Sequence, residues 1–149
     1  MKRHHLLPLL AFFICLLNSC GNAPKSSVES PQKVVIAYVT SWSEIMPNPA
    51  LVTHINYAFG HVNDTFNGVR INNEERLKQI VALKKQKPEL KVLLSIGGWG
   101  SGRFSEMAAD EGNRLSFAKD CQRVVKEFGL DGIDIDWEYP DTNEQWTHF

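Results

Sequence analysis

Four short apolar runs punctuate the chain: VVIAYV at 34–39, HINYAFG at 54–60, KVLLSIGG at 91–98 and LDGIDIDWEY at 130–139. Near-continuous apolar runs of this length suit strands buried on both faces, as in parallel sheets. Gly60 ends the second run and the Gly97–Gly98 pair ends the third. The intervals between later runs change to helical spacing. Leu77, Ile80, Val81 and Lys84 form one such set until Pro88 blocks continuation. Ahead of it, Asn72-Asn73-Glu74-Glu75 offers an N-cap followed three residues later by Glu. Phe117, Cys121, Val124, Val125 and Phe128 form a clearer stripe, and Gly129 stands where a C-terminal cap belongs. The interval between the first two runs holds Pro47 and Pro49 and predicts no full helix. Strand, helix, strand, helix, strand predicts α/β units with right-handed crossovers.

The fourth run carries chemistry. DGIDIDWEYP, at 131–140, holds four acids. Strand alternation predicts Asp134, Asp136 and Glu138 on one face, with Ile133, Ile135 and Trp137 facing the helices. In a closed parallel barrel the acidic face points inward, with chemistry at the carboxyl ends of the strands. Acids two residues apart sit about 6.6 Å apart along a strand. At an effective dielectric near 20 they repel by roughly 2.5 kcal/mol, so at least one proton should be held among them. Glu138, nearest the carboxyl end, is the candidate donor. A calcium loop would arrange its oxygens around a turn, which the interleaved apolar residues oppose. The five histidines show no metal-ligand spacing, and no metal or cofactor is implied.

Two motifs resemble a known family. Asp131 to Pro140 resembles the active-site strand of family 18 glycoside hydrolases, the chitinase family, meeting all four acids of its DxxDxDxE signature. Ser95-Ile96-Gly97-Gly98-Trp99 resembles the family's SxGG motif on the third strand. The resemblance covers 34–140 and implies an α/β fold: about four βα units, the N-terminal half of a TIM (β/α)8 barrel. A complete barrel takes about 250 residues, so a truncated barrel is expected. It further implies that Glu138 protonates the glycosidic oxygen while Asp136 stabilises the substrate's acetamido group as that group attacks. Asp134 would support Asp136, with Tyr38 and Ser95 hydrogen-bonding Asp134. Trp99 and Tyr139 would border the sugar cleft, and Gly97 and Gly98 would let a sugar approach the backbone. Asp131 would be structural; Trp42 is a further candidate for the mouth. The implied activity is retaining hydrolysis of β-1,4-linked N-acetylglucosamine polymers or oligomers. A non-catalytic chitin-binding relative and an endo-β-N-acetylglucosaminidase acting on glycans are the alternatives. The implied partner is an N-acetylglucosamine-containing polysaccharide or oligosaccharide.

Composition narrows the setting. Hydrophobic residues make up 43% of the 149 positions, as in a globular protein, and a net charge of −1 gives no case for nucleic acid. Lys2 to His5 precede an apolar run from Leu6 to Leu17, shorter than the roughly 20 residues a membrane span needs. Residues 1–19 therefore read as a secretory signal. Leu17-Asn18-Ser19-Cys20-Gly21 looks like a bacterial lipobox, making Cys20 a lipidation site and the protein a cell-envelope lipoprotein, with plain secretion as the alternative. Residues 20–33 read as a flexible tether and 34–149 as the partial catalytic domain. Cys15 leaves with the signal and Cys20 takes lipid, so Cys121 has no bridge to form and reads as a structural cysteine on a helix face.

Overall fold

Near-continuous apolar runs do become parallel strands. The computed structural model describes residues 33–140 and 147, so the expectations for residues 1–32 lie outside the described residues. Strand β1 spans Ile36–Thr40 and β2 spans His54–Val62. Between them the chain is irregular apart from one 3₁₀ turn, Pro49–Leu51, opened by the Asn48 side chain accepting from the Ala50 N–H. A short strand β3, Val69–Ile71, folds back antiparallel on the far end of β2. Helix α1 covers Glu74–Val81 and tightens into a 3₁₀ turn over Ala82–Lys85. Then come β4 (Lys91–Gly97), α2 (Phe104–Ala109), α3 (Glu111–Phe128) and β5 (Gly132–Asp136). The sheet order is β1-β2-β4-β5, all parallel, with β3 on the side of β2.

Alternation divides the sheet into two faces. Ile55, Tyr57, Val92, Leu94 and Ile96 point to the helix layer, where they are buried with Leu77, Ile80, Phe104, Met107, Phe117 and Val124. Each fully buried side chain of this size contributes about 1.5–3 kcal/mol. On α3, Phe117 and Val124 are buried, and Cys121, Val125 and Phe128 pack at the margin. Gly129 closes the helix in the left-handed region at φ 67°, its N–H returning to the Val125 carbonyl. Burial and the neighbouring Asp120 charge push the Cys121 thiol up to about 12, so it stays protonated and inert.

Two local expectations are corrected. Asn73, not Asn72, caps α1, its side chain accepting from the Arg76 N–H. The helix thus starts at Glu74, which puts Glu75 at the second helical position, turned to solvent. Glu75 pairs with Lys78 at 2.7 Å instead of reaching back to the cap. The fourth strand ends at Asp136 rather than at Tyr139. Among the described residues β5 pairs only with β4, whose last partner is Gly97 opposite Asp136, and there the ladder runs out.

Candidate active site

The open face of the sheet carries Tyr38 from β1, Asn56 from β2, Ser95 from β4, and Asp134 and Asp136 from β5. Register places Ser95 beside Asp134 and Tyr38 beside Asn56. Sheet curvature brings the outer strands together across this face. The Tyr38 hydroxyl donates to Asp134 Oδ2 at 2.8 Å, across two intervening strands. Ser95 Oγ donates to the same oxygen, also at 2.8 Å. Asn56 lies buried next to Tyr38 on the neighbouring strand. The Asn56 amide alone would lower the Tyr38 pKa. The bond to Asp134, burial, and the Asp134 and Asp136 charges outweigh it and hold the hydroxyl above its ordinary value. Tyr38 therefore keeps the proton it donates. Sequence reasoning missed Asn56; its signal was a lone amide inside the apolar run HINYAFG.

Asp136 lies at the carboxyl end of β5, and its backbone is gripped by the glycine pair. Gly98 N–H donates to the Asp136 carbonyl at 3.0 Å. Gly97 sits at φ 128°, and a Cβ there would come within 2.1 Å of the same carbonyl oxygen. A Cβ on Gly98, at φ 94°, would meet the Phe59 ring at 2.9 Å. Both positions need glycine for backbone shape and close strand approach. Ile133, Ile135 and Trp137 pack against the core, and Trp137 stacks on Phe104 of α2 with ring centroids 5.5 Å apart. Glu138 follows as an exposed residue beyond the strand. Its position is therefore set by the Trp137 anchor, not by strand pairing. Tyr139 is exposed, and Trp99 and Trp42 are 85% and 70% exposed at the same end of the sheet.

Charge distinguishes these acids from their neighbour. Asp134, Asp136 and Glu138 take part in no ion pair among the described residues. Asp131, at the other end of β5, accepts from Lys84 at 2.7 Å, from the Val92 N–H at 2.9 Å and from Lys91 at 3.2 Å. Burial pushes its carboxyl up, but these donors together prevail and hold it below the ordinary value. No three His, Cys, Asp or Glu side chains among the described residues are grouped to hold a metal ion.

Acids at the carboxyl end of a parallel sheet stand where barrel hydrolases place their active sites. The chain belongs to the glycosyl hydrolases family 18, whose model matches residues 34–149. Chitotriosidase-1 of Mus musculus is 34% identical over 119 residues, covering 71% of this chain and 26% of its own length. A class V chitinase from Nicotiana tobaccum, solved in complex with NAG4, superposes with a TM-score of 0.73 at 27% identity, covering 78% of this chain and 36% of that one. The chitinase domain of spore coat protein CotE from Clostridium difficile gives 0.71 at 33% identity, covering 83% and 35%. The chain thus spans about a quarter of these curated relatives and about a third of these solved chitinases. Its parallel strands are a segment of the barrel those chitinases share.

Proposed function

We propose that this chain carries the acids of a glycosidase that cleaves β-1,4-linked N-acetylglucosamine in chitin or its oligomers, with the substrate's own acetamido group as nucleophile. The observation that carries the reading is the contrast in partners: Asp134 is held by two neutral hydroxyls, and among the described residues no cation pairs with Asp134, Asp136 or Glu138. Glu138 gives its proton to the glycosidic oxygen as the bond to the anomeric carbon breaks. The acetamido oxygen attacks that carbon, forming an oxazolinium ion. Because the attacking oxygen is tethered to the sugar, the step is intramolecular and loses little entropy. Asp136 holds the acetamido N–H and balances the positive charge that grows on nitrogen, an interaction strongest in the transition state. Asp134, fixed by Tyr38 and Ser95, orients Asp136 and shares its proton. Water, deprotonated by the Glu138 carboxylate, then opens the ring and restores the acid, with net retention.

The test is release of fluorophore from a chitobioside. Glu138→Gln should lower the rate by about 10²- to 10⁴-fold, the range for loss of a general acid. An unchanged rate would overturn the role of Glu138.

We also infer export and anchoring through a lipid on Cys20, supported by the charged start, the apolar run and the Leu17–Gly21 pattern. In a bacterial host, Cys20→Ala should move the protein from the membrane fraction to the soluble fraction. Unchanged fractionation would remove the anchor.

A further inference from the structure

Two exposed tryptophans flank the connection between β2 and α1, and that connection, with the adjoining His61 of β2 and Arg76 of α1, holds both of their loops. The Trp42 loop follows β1, the Trp99 loop follows β4, and β2 lies between these strands. All three parallel strands therefore deliver their loops to the end where Asp136 lies. On one side, Asn73 Nδ2 donates to the Ser41 carbonyl at 2.9 Å, and the Arg76 guanidinium donates to the Ile45 carbonyl and rests on the Met46 sulfur at 4.0 Å. On the other side, His61 Nδ1 meets Ser101 Oγ at 3.2 Å, and Asp64 pairs with Arg103 at 2.8 Å. The connection is itself tied to the core: the buried Tyr57 hydroxyl donates to the Asn73 carbonyl at 2.8 Å.

Arg76 is the unusual member. It is 7% exposed, it has no carboxylate partner among the described residues, and its Nε has no hydrogen-bond partner. Burying a guanidinium without a counterion is costly. What the arrangement secures is the path of an exposed loop, whose Trp42, Ile45 and Met46 side chains stay in solvent. Stability alone gives no reason to fix a loop that buries so little. An aromatic surface held for a sugar ring does, because a pre-ordered loop loses less entropy on binding.

We propose that the β2–α1 connection is a brace that sets the spacing of the Trp42 and Trp99 loops, with Arg76 and Asn73 as positioning residues that determine how long a sugar chain is bound. This rests on the chitin-binding reading above. Loss of the Asn73 and Arg76 contacts frees the Trp42 loop alone, so long oligomers that reach it lose affinity while short ones that stay near Glu138 do not.

Calorimetric titration of the chain with N-acetylglucosamine oligomers of two to six units tests this. Arg76→Met should weaken the hexamer about tenfold and the dimer less than twofold. Arg76→Lys, which keeps a donor for the Ile45 carbonyl, should recover most of the loss. Asn73→Gly, which keeps the left-handed backbone but loses both side-chain bonds, should act like Arg76→Met. Amide exchange should quicken in residues 41–48 and stay unchanged in β4 and α3, reporting a loosened loop in a folded chain. Unchanged hexamer affinity in Arg76→Met and Asn73→Gly, with the dimer still bound, would overturn the brace alone. Failure of the unsubstituted chain to bind any oligomer would overturn the reading of function and the brace with it.

Discussion

The two ends of β5 carry acids from one motif and treat them in opposite ways. At the amino end, Asp131 is surrounded by donors: two lysine ammonium groups and a backbone N–H. Lys84 also reaches the Gly129 carbonyl, so the carboxylate locks the α3–β5 turn onto the 3₁₀ turn after α1. At the carboxyl end, Asp134 meets only neutral hydroxyls, and Asp136 and Glu138 have no cation partner among the described residues. A carboxylate neutralised by lysines is committed to holding the fold. One kept in place by neutral hydroxyls is fixed without a countercharge. The difference separates a structural acid from those to which the proposed reaction assigns chemistry, three to seven positions away in the same run.

Substitutions can break or sharpen that division. After Glu138→Gln, the largest effect should come from Asp136→Ala, which should slow chitobioside cleavage by about 10²- to 10³-fold, the range for removing a transition-state charge partner. Its urea midpoint should stay close to that of the parent. Asp131→Ala should do the reverse. The unfolding free energy should fall by about 1–3 kcal/mol as the Val92 N–H and two lysines lose their acceptor. Cleavage per folded molecule should change less than twofold. Gly97→Ala joins the two ends, because its Cβ would collide with the Asp136 carbonyl. It should cost both stability, by about 1–3 kcal/mol for the forced backbone, and activity. Tyr38→Phe removes one of the two hydroxyls on Asp134 and should slow cleavage by about tenfold, equivalent to about 1.4 kcal/mol, a typical hydrogen bond. The smallest effect is in acid. Asp131 titrates below its unfolded value of about 3.9, so its stabilisation is present above that pH and is lost as the pH falls through the folded value. Between pH 5 and the acid transition, the gap in urea midpoint between parent and Asp131→Ala should shrink by on the order of a few tenths molar. A constant gap would show that Asp131 acts without its charge.

How much of this could be read from residues depends on how local each signal is. Three of the four parallel strands were legible as short, near-continuous apolar runs, and β5 as acids alternating with Ile133 and Ile135. The α3 stripe was legible because Phe117 to Phe128 repeats over three turns before Gly129. β3 was not: three residues carry no period, and its place depends on the Val69 N–H donating to Asp120 of α3, 51 positions away. α2 was missed because six residues with Phe104, Met107 and Ala108 inward are too few to distinguish a helix from a loop before Asp110 restarts the pattern. In the site, the acids and their alternation were legible from the motif, and the end of β5 was not, since it depends on where β4 stops. The lysine partners of Asp131 lie 40 and 47 positions away and had no sequence signal. Arg76 looked like one more charge on an amphipathic helix; only packing shows it buried.

The configuration of the first sugar released tests the central claim most directly. Proton NMR during hydrolysis of a chitooligosaccharide distinguishes the two anomers before they equilibrate. Attack by the acetamido group, assisted by Asp136 and completed by water on the opposite face, predicts the β-anomer as the initial product. An initial α-anomer would mean that water displaces the leaving group in a single step, and the roles given to Asp134, Asp136 and the acetamido group would be wrong.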